Sequence, residues 1–246
     1  EHLDFLRSRG VDLEGLERIQ GGKTFRWGGR YTDDLNSAVT LFTDLNVYGD
    51  FNPKLPDAYK NTPYVFLANI NPELQLSVLQ QVIEPQLIVC DTMNLWINNS
   101  RDALMRTLSK VDILILNDGE ARLLTGENNL IRAAKKILAY GPDRVVIKKG
   151  EHGAISLTDS TFFFTPAYPL EHVVDPTGAG DSFAGGFLGY LASVDDTSEE
   201  SIRKAVIYGT VIASFNVEDF SLNRQRTLTR AEVDHRYHQL QESTLF

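Results

Sequence analysis

The 246-residue sequence holds one cysteine, two methionines and two tryptophans. A single cysteine forms neither an internal disulfide nor a cysteine-only metal site. Cys90 lies in the apolar run Leu87-Ile88-Val89-Cys90, where a lone thiol reads as a small hydrophobe. A reducing, cytoplasmic setting is the resulting expectation. Basic residues are also scarce, with 24 Lys and Arg against 33 Asp and Glu for a net charge of -9. That balance argues against a nucleic-acid partner, which needs a basic face. It leaves nucleotides open, because backbone N–H groups and a helix dipole hold phosphate locally. The longest apolar runs, such as residues 64–70, are strand-sized and too short to span a membrane. The opening Glu1-His2-Leu3-Asp4-Phe5-Leu6 lacks the basic start and apolar stretch of a secretion signal. The sequence contains no HExxH, no paired-cysteine zinc pattern, no Gly-x-Ser-x-Gly, no repeat and no long linker.

What is present is ordinary globular composition, 42% hydrophobic and 23% charged, in a length that suits one large α/β domain with or without a small appendage. Leu3, Phe5, Leu6 and Val11 read as an amphipathic helix without a preceding cap or strand, which suggests that further residues precede Glu1. Residues 23–31 and 39–47 both alternate, with Thr32-Asp33-Asp34-Leu35-Asn36 between them as a turn, so a β-hairpin is expected. From residue 64 the pattern becomes strand and helix in turn. Strands are expected at 64–70, 87–90, 113–116, 144–148 and 173–174, with an antiparallel edge hairpin from 154–157 and 161–165. Helices are expected from 72, over 102–108, 120–124, 130–140, 180–193, 199–216 (capped by Ser198) and about 230–241 (capped by Thr229). This alternation predicts a largely parallel sheet covered on both faces. Residues 1–18 and 49–246 form the expected α/β core, and 19–48 a separate β element.

In such sheets ligands sit where strand ends meet helix N-termini. The run Asp175-Pro176-Thr177-Gly178-Ala179-Gly180-Asp181-Ser182-Phe183 has that form. Gly178 and Gly180 leave the backbone open to close approach, and Ala179 keeps the loop thin. The amides of Gly178, Ala179, Gly180 and Asp181 are then expected to point unpaired from the helix start, as an anion hole. A carboxylate in that position needs a purpose, and a substrate hydroxyl that must lose its proton supplies one. A lone Gly-x-Gly-Asp would read as a capped helix and a tight turn; the whole run is more specific. Phe183, Phe187, Leu188 and Leu191 give the following helix its apolar face, with Gly185, Gly186 and Gly189 expected to allow close packing. Gly22-Lys23-Thr24 echoes the end of a P-loop, but Glu17 stands where that motif needs glycine, and a strand rather than a helix follows.

Asp175 to Phe183 resembles the C-terminal signature of the ribokinase-like (PfkB) family of carbohydrate and nucleoside kinases. Residues 112–126, with Asn117 and Glu120, resemble that family's Asn-x-x-Glu segment, and residues 146–154 resemble its strand and glycine turn beside the nucleotide. The resemblance covers nearly the whole chain. It implies a three-layer α/β/α ribokinase-like sandwich with a small β-sheet lid at residues 19–48. The reaction it implies is transfer of the γ-phosphoryl group of ATP to a hydroxyl of a sugar or nucleoside, with Asp181 as base. Asn117 and Glu120 would arrange Mg²⁺ through water; as local structure they read equally as a turn residue and a first-turn carboxylate. Gly150 and Gly153 would cradle ATP or simply make the turn. Asn216 would lie against the adenine or close its helix. Asp175 and Thr177 match positions that bind a monovalent cation such as K⁺, although Phe220 and Ser221 replace glycines that some relatives have there. Lys148 and Lys149 read as one buried-edge and one solvated lysine.

The family's N-terminal substrate-contacting Asp and Gly-Gly hinge have no counterpart before residue 23, so a βαβ unit of roughly 30 residues is expected upstream. Phe25, Arg26, Trp27, Arg30 and Tyr31 form an aromatic, basic stripe suited to a substrate or to a homodimer contact through the lid. Asn69, Asn71, Asp91, Met93, Asn94 and Trp96, at two predicted strand ends, are further substrate candidates. A vitamin-type kinase acting on a hydroxymethyl heterocycle, and an inactive nucleotide-binding regulator, remain alternatives.

Overall fold

The computed structural model describes residues 2–32 and 38–245; the predicted turn at Asp33, Asp34, Leu35 and Asn36 lies outside the described residues. The chain divides into two compact units, Glu1–Thr62 with Leu76–Pro85, and Pro63–Gln75 with Gln86–Phe246.

The first unit holds α1 (His2–Ser8), β1 (Arg26–Tyr31), β2 (Ala38–Asp44) and α2 (Asp57–Lys60). β1 and β2 pair antiparallel, with a register irregularity between Gly28 and Gly29, as the two alternating segments predict. Trp27 reaches across the pair and donates from Nε1 to Thr40 Oγ1 at 3.2 Å, while the Arg26 guanidinium sits 5.3 Å from the Phe42 ring centre. The expected stripe is therefore broken up: Phe25 turns edge-on to Tyr48, 5.4 Å away. Of the two strands, β2 carries the most exposed large apolar side chains, Val39 at 61% and Leu41 at 58%. The unit is also larger than the hairpin expected at 19–48. Tyr59 donates its hydroxyl to Asp12 at 2.8 Å and accepts from the Gly15 amide. Gln81 accepts from the Leu55 amide and donates to the Pro53 carbonyl, both at 2.9 Å. These bonds tie the segments that flank the hairpin to one another.

The second unit runs β3 (Tyr64–Leu67), α3 (Pro72–Leu79, shared with the first unit), β4 (Leu87–Asp91), α4 (Asn94–Asn99), α5 (Arg101–Leu108), β5 (Ile113–Asn117), α6 (Asp118–Thr125) and α7 (Leu130–Leu138). It continues with β6 (Arg144–Lys148), β7 (Ala154–Leu157), β8 (Phe162–Thr165), α8 (Ala179–Val194), α9 (Glu199–Asn216), α10 (Asn223–Thr227) and α11 (Arg230–Glu242). One six-stranded sheet has the order β3-β4-β5-β6-β7-β8. The first four strands are parallel and the last two antiparallel, as expected. Ile113, Ile115 and Val146 pack with Phe183, Phe187, Leu191, Ile202 and Val206 of α8 and α9. Leu114, Leu116, Val145 and Ile147, one position out of step, are equally buried on the face where α6 and α7 pack. Helices on both faces explain why these strands show no polar alternation.

Two local expectations fail. Val173 and Val174 form no strand; they are 41% and 58% exposed, and the amides of Val174 and Asp175 both turn to one acceptor, the Val217 carbonyl. A strand needs a repeating ladder, and Pro176 removes the next donor. Of the three helix glycines, only Gly186 has close neighbours, Ile212 and the Tyr208 carbonyl of α9; Gly185 and Gly189 face open space.

Candidate functional site

Parallel pairing brings Asp91, Asn117 and Lys148, the last residues of β4, β5 and β6, to one edge of the sheet, with Asn117 and Lys148 as direct partners across the ladder. The loop before α8 is built by side chains. The Asp175 carboxylate accepts from the Thr177 amide at 3.0 Å, and Gly178 takes a left-handed φ of 83° that other residues resist. Asn216 donates to the Thr177 carbonyl at 2.9 Å and accepts from Ser182 Oγ at 3.0 Å, while Gln225 donates to the same Ser182 oxygen at 2.6 Å.

Asp181 stands in the first turn of α8, whose cap is Gly178, so the capping alternative falls away. It is exposed, as a general base that meets an incoming substrate must be, and its position suits the helix dipole. The amides of Gly178, Gly180 and Asp181 have no backbone acceptor among the described residues. The Ala179 amide differs from expectation: it donates to the Pro176 carbonyl at 3.1 Å, closing the turn rather than joining an anion hole. Asn216 is 2% exposed and both ends of its side-chain amide bond to the loop, which supports the structural one of its two readings.

Asn117 and Glu120 form a reciprocal capping box at the start of α6: each backbone amide donates to the other's side chain at 2.8 Å. This uses one carboxylate oxygen of Glu120 and leaves Oε1 without a protein hydrogen-bond partner among the described residues, which fits a water-mediated role toward Mg²⁺. Among the described residues no group of three or more His, Cys, Asp or Glu is placed to hold a metal. Burial pushes the Glu120 carboxyl up to about 7, with the Asn117 amide working against the rise and the charge of Asp91 adding to it. Asp91 is 5% exposed, and burial raises its carboxyl too, opposed by the Lys148 ammonium at 3.6 Å.

Gly150 opens a short turn at φ 54°. Gly153 has a structural requirement of its own, since a side chain there would begin 1.9 Å from the Thr165 carbonyl oxygen; it is needed for the approach of β8. Asp175 and Thr177 are engaged in shaping the loop, and Ser221 holds a left-handed φ of 58° where a glycine would be unstrained. Of the substrate candidates, Asn71 caps α3 by accepting from the Glu73 amide, and Asp91 points into the buried pair. Asn69, Met93 and Trp96 come together: Trp96 Nε1 donates to Asn69 Oδ1 at 2.8 Å, and Asn69 Nδ2 lies 3.0 Å from Met93 Sδ. Asn94 is exposed at the start of α4. Sequence reasoning missed Lys148, Ser182 and Gln225. Nothing marks Gln225 in the sequence, whereas Ser182 belongs to the signature run and Lys148 to the strand end beside Asn117.

Comparison with known proteins meets this geometry. The model of the pfkB family carbohydrate kinases matches residues 1–227. The chain belongs to the PfkB family. A cytidine kinase of Thermococcus kodakarensis is 36% identical over 183 residues, which cover 72% of this chain and 64% of that protein. The chain thus spans somewhat less than two thirds of this curated relative. Among solved structures, a nucleoside kinase of Methanocaldococcus jannaschii, described as an archaeal member of the ribokinase family, superposes with a TM-score of 0.76 at 22% identity, covering 97% of this chain and 76% of that one. The nucleoside kinase of Burkholderia thailandensis in complex with ADP-inosine gives 0.75 at 18% identity, with 97% and 72% coverage. These likenesses show a ribokinase-like fold, as the PfkB match leads one to expect. Among the described residues no helix is long and apolar enough to cross a membrane.

Proposed function

We propose that this chain carries the catalytic machinery of an ATP-dependent kinase that phosphorylates a hydroxyl of a nucleoside, with a sugar as the second reading. The observation that carries the proposal is the exposed Asp181 carboxylate in the first turn of α8, next to amides that have no backbone acceptor among the described residues. The substrate hydroxyl oxygen forms a bond to the γ-phosphorus as its proton passes to the Asp181 carboxylate. The bond between the γ-phosphorus and the bridging oxygen breaks, and ADP leaves with that electron pair. The amides of Gly178, Gly180 and Asp181 stabilise charge on the transferring group. Glu120, set by Asn117, would hold water around Mg²⁺, which supplies charge neutralisation on the phosphates when bound. Gly150 lies at the adjacent strand end, where the nucleotide would pass. Asp175 and Thr177 are assigned to loop shape in place of a cation.

The nucleoside reading draws on the names of the cytidine and nucleoside kinases that the chain resembles. It also draws on the linked Asn69 and Trp96, an amide and an indole suited to a base or ribose. A homodimer through the exposed Val39 and Leu41 of β2 belongs to the same reading. The test is ADP release with nucleosides and sugars, for the wild type and Asp181→Asn. The variant should keep its nucleotide affinity and lose roughly 10²–10⁴ in kcat. Near-normal turnover would remove Asp181 as base, and nucleotide binding without turnover on any hydroxyl would favour the regulator.

A further inference from the structure

The two glycines of the signature differ in what demands them. Gly178 is required by its left-handed backbone. Gly180 has no such φ, and among the described residues outside its own helix turn, the atoms within 4 Å of a side chain placed on it belong to Lys148: Nζ at 2.9 Å and Cε at 3.9 Å. The Lys148 ammonium therefore sits against the loop at the start of α8, in the space that the missing Gly180 side chain leaves. The Lys148 side chain is 16% exposed and pairs with Asp91, 8% exposed at its side chain, with Nζ to Oδ2 at 3.6 Å, while its charge also reaches the Glu120 carboxyl. That distance is an ion pair but longer than a charge-assisted hydrogen bond, which is normally under about 3 Å. A cation loosely held by a buried carboxylate, beside amides that have no backbone acceptor among the described residues, is positioned to take a stronger anionic partner.

We propose that Lys148 contacts the γ-phosphoryl group of ATP at the Gly178–Asp181 loop, that Asp91 positions it there, and that residue 180 is glycine to give it room. This rests on the kinase reading above. A lysine serves here as a compact point charge with rotatable donors, able to swing between Asp91 and phosphate. Its partner is the terminal phosphoryl and not the portion common to ATP and ADP, so it should distinguish the two nucleotides.

The experiment is calorimetric binding of ADP and of a β,γ-imido ATP analogue, each with Mg²⁺, to the wild type and three variants. Lys148→Met alone would strand the buried Asp91 charge and threaten folding, so it is paired with Asp91→Asn. The second variant, Gly180→Ala, keeps both charges and needs only the flexible lysine tip to move. The third combines all three substitutions. The wild type should prefer the ATP analogue. That preference should fall about tenfold or more in each of the first two variants, the scale of one charged hydrogen bond, and no further in the third. An unchanged preference in the first two overturns the proposal, as does a Gly180→Ala effect that adds in full on the Lys148→Met, Asp91→Asn background, since the methyl would then act on the loop itself. A wild type that binds both nucleotides equally overturns the lysine's role and leaves the kinase reading standing; one that binds neither overturns both.

Discussion

The two units of this chain solve the burial problem differently. In the second, the sheet is covered on both faces and Phe187, Leu114, Leu116 and Leu191 are wholly shielded from water. In the first, no described residue between 2 and 62 is buried, and Val39 and Leu41 remain over half exposed. The stabilisation of the first unit comes from cross-strand pairs and from the polar ties of Tyr59 and Gln81, contributions of the order of 1 kcal/mol each. A rigid core lets the second unit hold a partly desolvated set of charges at its strand ends. A thin, exposed hairpin can change its surroundings at little cost, which suits contact with something else.

Three substitutions would break or sharpen that contrast. Phe187→Ala should cost about 3–5 kcal/mol, because it removes a ring from a site that cannot collapse; urea unfolding measures it, and a loss under 1 kcal/mol would mean that the core is loosely packed. Glu120→Gln should act in the opposite direction. Its carboxyl titrates at about 7 in the fold against an ordinary 4.5, so the folded state binds the proton more tightly than the unfolded one. The stability it contributes therefore falls as pH rises from about 4.5 through 7. The amide variant keeps a cap and cannot ionise, so it should exceed the wild type by about 2–3 kcal/mol at pH 8, with the gap closing toward pH 4.5. Equal stabilities at pH 8 would refute the burial cost, and the same variant should lose activity if the carboxylate organises Mg²⁺. Leu41→Ser should shift stability by less than about 0.5 kcal/mol; a larger loss would erase the contrast between the units. In sedimentation the same variant should favour the monomer if β2 pairs two copies, and an unchanged mass would count against that interface.

Much of the fold was legible because its signals are local. Ser198 and Thr229 cap α9 and α11 as their spacing to the following helices indicates, and the runs at β4, β5 and β6 are apolar enough to read as buried strands. Val173-Val174 shows the limit: two β-branched residues resemble a strand, but only a neighbouring chain can supply a ladder, and here a single carbonyl is available. α4 and α10 were also missed, since they are short and lack a periodic apolar face. At the site, Asp181 and the two glycines stand out as a contiguous run, whereas Asn216 reads from the sequence as an adenine contact or as a helix end, and only its two hydrogen bonds show it holding the loop.

The sequence by itself determined the strand and helix alternation, the glycine loop with its aspartate, and Asn117 and Glu120 as the residues at the start of a helix, all set by residues within a few positions of one another. Only the tertiary structure decided that Asp91 and Lys148, 57 residues apart by their numbering, would pair, that the Lys148 ammonium would lie 2.9 Å from where a side chain on Gly180 would begin, and that Asn216 and Gln225 brace Ser182 and Thr177. The reason is that burial, charge pairing and steric room depend on which strand ends lie side by side, and parallel crossovers bring together residues whose separation along the chain carries no local signal.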